Sequence, residues 1–303
     1  MDLRRLGKVL SKAVNAWLDD HAQSMGAALS YYTVFSIAPL LLIAIAVAGL
    51  AFGQDAAQGA VVDQLQGLIG QSGAQAIQYL LKNVSKPSEG IIATITGVVV
   101  LLIGATSVFG ELQDDLNRIW QVPTRQKVSS WWAFVHARLL SIGMIFALGF
   151  LLLVSLAASA AFDAFSSWST SWIAEWAPLV HGVNFVIGFV LTTALFALIY
   201  RFMPQATIEW RDVGIGALVT ALLFSIGKFL IGLYIGKSAL ASGFGAAGSL
   251  AVLLAWVYYS AQIFLFGAEF TWAYAHAFGS RQGDADTARP DAAAVPAPSV
   301  KFR

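Results

Sequence analysis

The chain has 303 residues, 58% of them hydrophobic and 12% charged, with no cysteine and a formal net charge of +1. A soluble domain carries about 25% charged residues, so an ordinary water-soluble fold is excluded. The lack of cysteine removes disulfides, thiolate nucleophiles and Cys-ligated metal centres, and dispersed basic residues with a near-zero net charge give no footprint for nucleic acid.

What remains is an all-α, polytopic membrane helix bundle, and the elements follow in chain order. Residues 1–24 read as a cytoplasmic amphipathic segment. Leu3, Leu6, Leu10, Val14 and Trp17 recur at helical spacing, and Arg4, Arg5, Lys8 and Lys12 form another stripe. That pattern suits a helix lying on an anionic membrane surface, or equally a solvated helix leading into the first span. No cleavable signal peptide is expected, because the basic segment runs into Asp19, Asp20 and His21.

A membrane domain covers 25–276. Its first span, 25–52, carries Pro39 near its middle. Proline removes a backbone hydrogen bond, so a kink or break is expected there. Tyr31 and Tyr32 precede it and suit either a polar pathway or plain interhelical packing. From 53 to 90 the apolar spacing predicts two short amphipathic helices, divided at Gly70 and Gly73, that cap the bundle or lie on the lipid interface.

The second span, 91–109, ends at Glu111 and continues as a helix through Leu112, Leu116 and Ile119. Trp131 and Trp132 mark the interface before the third span, 139–162, and Phe165, Trp168, Trp172 and Trp176 mark the opposite one. The fourth span, 181–200, stops before Pro204, with Arg201 at headgroup level. The fifth, 213–235, contains Lys228, and Gly214, Gly216, Gly227, Gly232 and Gly236 allow close helix approach, the last two at GxxxG spacing.

The sixth span, 249–272, has 24 residues with Glu269 as its one ionisable side chain. At about 1.5 Å per residue it crosses a hydrocarbon core of about 30 Å. Gln262 and Glu269 are groups that hydrocarbon penalises, so this helix should face protein or water along one side. The tail, 277–303, is rich in Pro, Ala and charge and is expected to be disordered.

Basic residues orient this six-span arrangement. Fourteen Lys and Arg fall on the side of the N-terminal segment and the tail, against Lys82, Lys86 and Lys237 on the other. The positive-inside rule therefore puts both termini in the cytoplasm.

ALSYYTVFSIAPLLL in the first span, LNRIW at 116–120, YRFMP at 200–204 and above all GSLAVLLAWVYYSAQIFLFGAEFTWAYA at 248–275 resemble the YihY/BrkB family of bacterial inner-membrane proteins. The resemblance covers about residues 16–278. It implies a six-helix, multi-pass protein of the bacterial inner membrane. Some members are associated with virulence or serum resistance and others with export of lipid-like envelope components; an old ribonuclease BN label also travels with the family. No catalytic residues carry over.

The residues lend the ribonuclease label little support. His21, His136, His181 and His276 are scattered, with no HExxH or HxHxDH grouping to hold catalytic metal. A phosphate loop of GxxxxGK[ST] type and a GxSxG nucleophile elbow are both missing. No enzymatic role, cofactor or metal is expected.

The remaining candidates are polar groups in or beside the spans. Lys228 and Glu269 should differ in depth by roughly 20 Å, too far for a direct pair in straight helices. Lys228 either snorkels to the outer interface or lines a cavity for an anionic headgroup or solute. Glu111 and Glu269 should share a cytoplasmic depth, as a proton or cation site or as hydrated groups beside Arg118, Arg138 or Arg201.

Two functions follow. One is transport or translocation of an amphiphilic or anionic envelope substrate along Lys228, Glu269, Gln262, Glu111, Pro39, Tyr31 and Tyr32. The other is a non-transporting scaffold of the envelope in which these residues only pack. The expected partners are membrane lipids and such a substrate, not nucleic acid, and self-association is left open.

Overall fold

The computed structural model describes residues 3–59, 61–62, 66, 77–78, 107–122, 177–237 and 246–282. The main helices are α1 (Leu3–Asp19), α2 (Ala22–Phe52), α3 (107–119), α4 (Ala177–Phe202), α5 (Trp210–Lys237) and α6 (Ala246–Ala277). Among the described residues there is no strand. The predicted spans 25–52, 181–200, 213–235 and 249–272 fall inside α2, α4, α5 and α6. The third span, most of the second and the tail beyond 282 lie outside the described residues.

Among the described residues, three helices are long and apolar enough to cross a membrane, over Phe185–Phe202, Trp210–Ile231 and Leu250–Ala277. Their burial within the bundle is low, from 11% to 33%. Apolar side chains directed outward in this proportion suit lipid and not water.

The last helix is the centre of the assembly. α6 packs against α1, α2 and α5, and α4 packs on α5. Ala22 of α2 meets Gln262, while Val34 and Ile45 share a cluster with Leu253 and Val257. Numbers rise along α2 as they fall along α6, so the two run antiparallel. The same reasoning makes α5 antiparallel to α6, through Thr220 at Gly267 and Phe224 at Trp256. α4 is antiparallel to α5, through Tyr200 at Thr220 and Phe196 at Phe224.

Apolar helices in lipid gain little from hydrophobic burial against one another, so close packing and hydrogen bonds must hold them together. α5 and α6 answer this with a reciprocal arrangement of two Gly-x-x-x-Thr segments. A Cβ added at Gly216 would collide with the Thr271 side chain, and one at Gly267 would collide with Thr220. Each threonine hydroxyl is satisfied within its own helix, Thr220 donating to Gly216 O and Thr271 to Gly267 O, both at 2.7 Å. The expected Gly232–Gly236 pair lies at the end of α5, where side chains are outside the described ones.

α2 is one continuous helix from Ala22 to Phe52, with Pro39 inside it. Proline therefore does not break the helix, contrary to one of the two expected outcomes. Loss of a single backbone hydrogen bond leaves the neighbouring ones to hold the turn.

α1 is strongly amphipathic, as predicted, and it also buries a face against the bundle. Val9, Ala13 and Ala16 are covered, whereas Leu10 and Val14 of the predicted apolar stripe are 49% and 40% exposed. Small residues on the docked face let α1 lie close to α6, with Lys12 Nζ 4.8 Å from the centre of the Trp272 ring. Leu10, Val14 and Leu18 form a second apolar row that stays open.

Beyond α2, Ala57, Val61 and Ile77 are buried against α2 and α6 in a cluster with Val34, Ile45, Leu253 and Val257. Of the two placements predicted for the 53–90 connection, these residues follow the one that caps the bundle.

α1 and α3 both end on a residue in the left-handed region, His21 (φ 55°) and Gln121 (φ 51°). At the end of α3, Gln121 N donates to Arg118 O and Val122 N to Asn117 O. Those bonds form a Schellman motif, in which glycine is the usual left-handed residue.

Candidate functional site

α6 carries polar side chains on two faces. Thr271 and Gly267 turn toward α5. On the other side, Gln262, Glu269 and His276 recur every seven residues, which at about 100° per residue keeps them within about 40° of one bearing. Gln262 Nε2 donates to Ala22 O of α2 at 3.3 Å, and its amide lies against Gly26, where a Cβ would collide with it. Trp272 faces Lys12 of α1. The bearing of Glu269 falls between those two, toward the seam where α1 and α2 meet α6.

Glu269 is fully buried and His276 is 6% exposed. The His276 ring stacks obliquely on Trp272 at 4.5 Å, with Nδ1 2.8 Å from Trp272 O. Gln262 Oε1 is buried with no hydrogen-bond partner. A carboxyl taken wholly from water costs several kcal/mol unless compensated, so its retention in the C-terminal third of the hub helix marks the stripe for attention.

The remaining predicted residues do not converge on this stripe. Lys228 is exposed on α5. With Thr220 against Gly267 and Gly216 against Thr271, Glu269 stands level with about residue 218 of α5, and Lys228 lies about 15 Å further along. The separation is shorter than the 20 Å expected, yet still excludes a direct pair. Tyr31 and Tyr32 are 58% and 37% exposed on α2, where their rings meet edge to face and that of Tyr31 also contacts Phe35. The side chain of Pro39 is outside the described ones.

Glu111 lies half-buried on α3, and its nearest acidic company is on its own helix. Burial first, and then Asp114, raise its carboxyl above the ordinary value. Asp115 is more strongly affected: burial, then Glu111 and Asp114, push it up to about 7 against the lowering pull of Arg118. Its Oδ2 is buried without a hydrogen-bond partner. α3 is tied to the connection between α4 and α5, with Gln113 Nε2 donating to Met203 O at 3.0 Å and Gln205 N to Asn117 Oδ1 at 2.7 Å. Among the described residues no group of three or more His, Cys, Asp or Glu is placed to hold a metal ion.

Sequence reasoning missed a buried polar contact among three helices. Tyr200, fully buried near the end of α4, donates to Phe264 O of α6 at 2.7 Å and lies 3.1 Å from Thr220 Oγ1 of α5. The available signal was a tyrosine inside an apolar run, since a buried phenol needs a partner. Asp212 was missed too: its Oδ2 accepts from Ser280 N at 2.9 Å and Ser280 Oγ at 2.7 Å, fastening the turn after α6 to the start of α5.

Apolar helices of membrane-crossing length, held by buried polar contacts around one central helix, define an integral membrane protein of all-helical fold. Residues 13–292 match the family described as Virulence factor BrkB. The chain belongs to that family, as the motifs in the first, fourth and sixth spans implied.

Among curated proteins it is 30% identical over 264 residues to a UPF0761 membrane protein of Verminephrobacter eiseniae, covering 83% of this chain and 58% of the relative. It is 28% identical to a UPF0761 membrane protein of Alcanivorax borkumensis, covering 84% and 58%. A third, from Ralstonia nicotianae, is 26% identical over 82% of this chain and 55% of the relative. The chain thus spans less than two thirds of the length of these relatives. No solved structure matches.

Proposed function

We propose that the protein is a six-span, multi-pass protein of the bacterial inner membrane, with both termini cytoplasmic, that translocates an amphiphilic or anionic envelope substrate without catalysing a reaction. The observation that carries this reading is the polar stripe on the central helix, with Gln262 half-buried and Glu269 and His276 buried, facing the seam with α1 and α2. Glu269 is the group assigned to take up and release the coupling proton. Membrane lipids are its surroundings and the source of its substrate, and nucleic acid has no part in it.

The alternation of strand-like order among the helices supports the topology: α2 and α5 run one way, and α4 and α6 the other. An even number of further crossings between α2 and α4 is required by these directions, which agrees with spans at 91–109 and 139–162. The excess of basic residues on one side supports a cytoplasmic location for the end bearing α1 and the turn after α6.

The test is movement of labelled phospholipids and anionic envelope lipids in proteoliposomes, with and without a proton gradient, comparing wild type with Glu269→Gln. Movement that depends on the gradient and is lost in a folded variant supports translocation. Absence of movement for every lipid, with Glu269→Gln altering only the melting temperature, sinks it in favour of an envelope scaffold. One observation favours that second reading: Lys228, Tyr31 and Tyr32 stay outside the interior, so part of the proposed pathway does not assemble.

A further inference from the structure

The turn joining α4 to α5 and the turn following α6 enclose an open cavity of about 830 Å³, lined among others by Arg201, Thr207, Glu209, Trp210, Arg211 and Arg281. Three guanidinium groups therefore border a space that holds one lining carboxylate, Glu209. Such an excess in a concave site attracts anions, and arginine matches the planar, multi-oxygen geometry of phosphate.

Two of the arginines are held in place by the turn they line. Arg201 Nη1 donates to Ile208 O, and Arg281 Nη2 donates to Thr207 O at 3.3 Å. Each uses one nitrogen on the main chain, and a guanidinium carries five N–H donors. Aromatic rings fix them further: Arg201 lies 5.8 Å from the centre of the Trp210 ring and Arg281 lies 5.3 Å from that of Trp120. Asp212, next to Arg211, does not fill the space with its own hydrogen-bonded oxygen, because Oδ2 is engaged by Ser280.

The cavity also opens at a defined depth. The apolar stretch of α4 ends at Phe202, that of α5 begins at Trp210, and both side chains are at least half exposed with their rings 5.9 Å apart. Exposed tryptophan at the end of an apolar helix sits at the level of lipid headgroups. The positive end of the α5 helix dipole lies at the same turn, where the N–H groups of Asp212 and Val213 are already bonded to Glu209 O.

The geometry points to a binding site for a phosphate-bearing anion in this cavity, supplied either by the headgroup of an anionic phospholipid or by free phosphate. The site stands whether or not the protein translocates a substrate.

The experiment uses the full chain, purified in detergent and stripped of lipid. Native mass spectrometry counts retained phosphatidylglycerol against phosphatidylcholine, and equilibrium dialysis measures inorganic phosphate. Arg211 is exposed, so Arg211→Glu should leave the fold intact, which a melting curve checks. Its expected effect is a loss of affinity of about ten-fold or more, and Glu209→Gln should tighten the same ligand. Retention of phosphatidylglycerol with that pattern, without phosphate binding, identifies a lipid headgroup site. Phosphate binding with the same pattern identifies a free-phosphate site. Failure of wild type to bind either, or binding unchanged in Arg211→Glu and Glu209→Gln, overturns the assignment.

Discussion

The Thr220 hydroxyl of α5 occupies the space that a Cβ on Gly267 of α6 would need. Thr271 stands in the same relation to Gly216, so the two helices exchange a threonine for a glycine at successive levels. Gly267→Ala should therefore destabilise the bundle by about 2 kcal/mol. Gly214→Ala, with open space around its Cβ, should be neutral or slightly stabilising through helix propensity. Thermal melting of both variants in one detergent checks this, and equal melting temperatures would contradict the interlocked interface.

Tyr200→Phe removes the hydroxyl that joins α4, α5 and α6. Phe264 O retains its place in the helix, while Thr220 keeps its bond to Gly216 O, so the loss should be modest, about 1 kcal/mol. A double-mutant cycle with Thr220→Ala isolates the direct term. A coupling energy of zero would show that the contact between the two hydroxyls contributes nothing.

Asp115 makes stability depend on pH. Its carboxyl is pushed up to about 7, chiefly by burial and then by Glu111 and Asp114, so the folded protein holds this proton more tightly than the unfolded chain does. That contribution is fully present below the unfolded value of about 4 and is lost as pH rises through about 7. Asp115→Asn should flatten the decline between about pH 5 and about pH 8 and raise stability at the upper end by on the order of 1 to 2 kcal/mol, allowing for solvent screening. Melting curves at the two pH values measure it; a wild-type decline reproduced in full by the variant would assign the dependence elsewhere.

Gln121 supplies the left-handed residue of a Schellman motif at φ 51°. Glycine there avoids the penalty on the side chain, so Gln121→Gly should stabilise the protein by about 0.5 to 1 kcal/mol after its greater freedom in the unfolded chain is discounted. A lowered melting temperature would mean that contacts of the glutamine side chain outweigh the strain.

The three helices of membrane-crossing length were legible because each is a long apolar run. α4 stops two residues before Pro204, and α6 keeps a single buried carboxylate within a membrane length of chain. Packing partners were less legible. The glycines of α5 read as points of close approach include Gly216 and Gly227, which do meet α6, but nothing in the sequence paired Gly216 with Thr271 or Gly267 with Thr220 on the opposite helix. A motif within one helix cannot reveal which surface of another will meet it. Likewise, the apolar stripe of α1 with Leu10 and Val14 was read without any partner helix, and the row that docks, Val9, Ala13 and Ala16, gave no signal beyond its small side chains. Gln262 and Glu269 stood out as groups that need protein or water beside them, since their chemistry alone sets them apart from the hydrocarbon; Glu269 is buried and Gln262 half-buried.

The central position of α6 ties the two ends of the chain together. α1 and α2 precede it by some two hundred residues, yet the faces formed by Val9, Ala13 and Gly26 find their partners on the last helix. During synthesis the earlier helices can enter the bilayer individually. Among the described residues α1 and α2 meet each other far less than they meet α6, so α6 acts as the pin that joins them to α5.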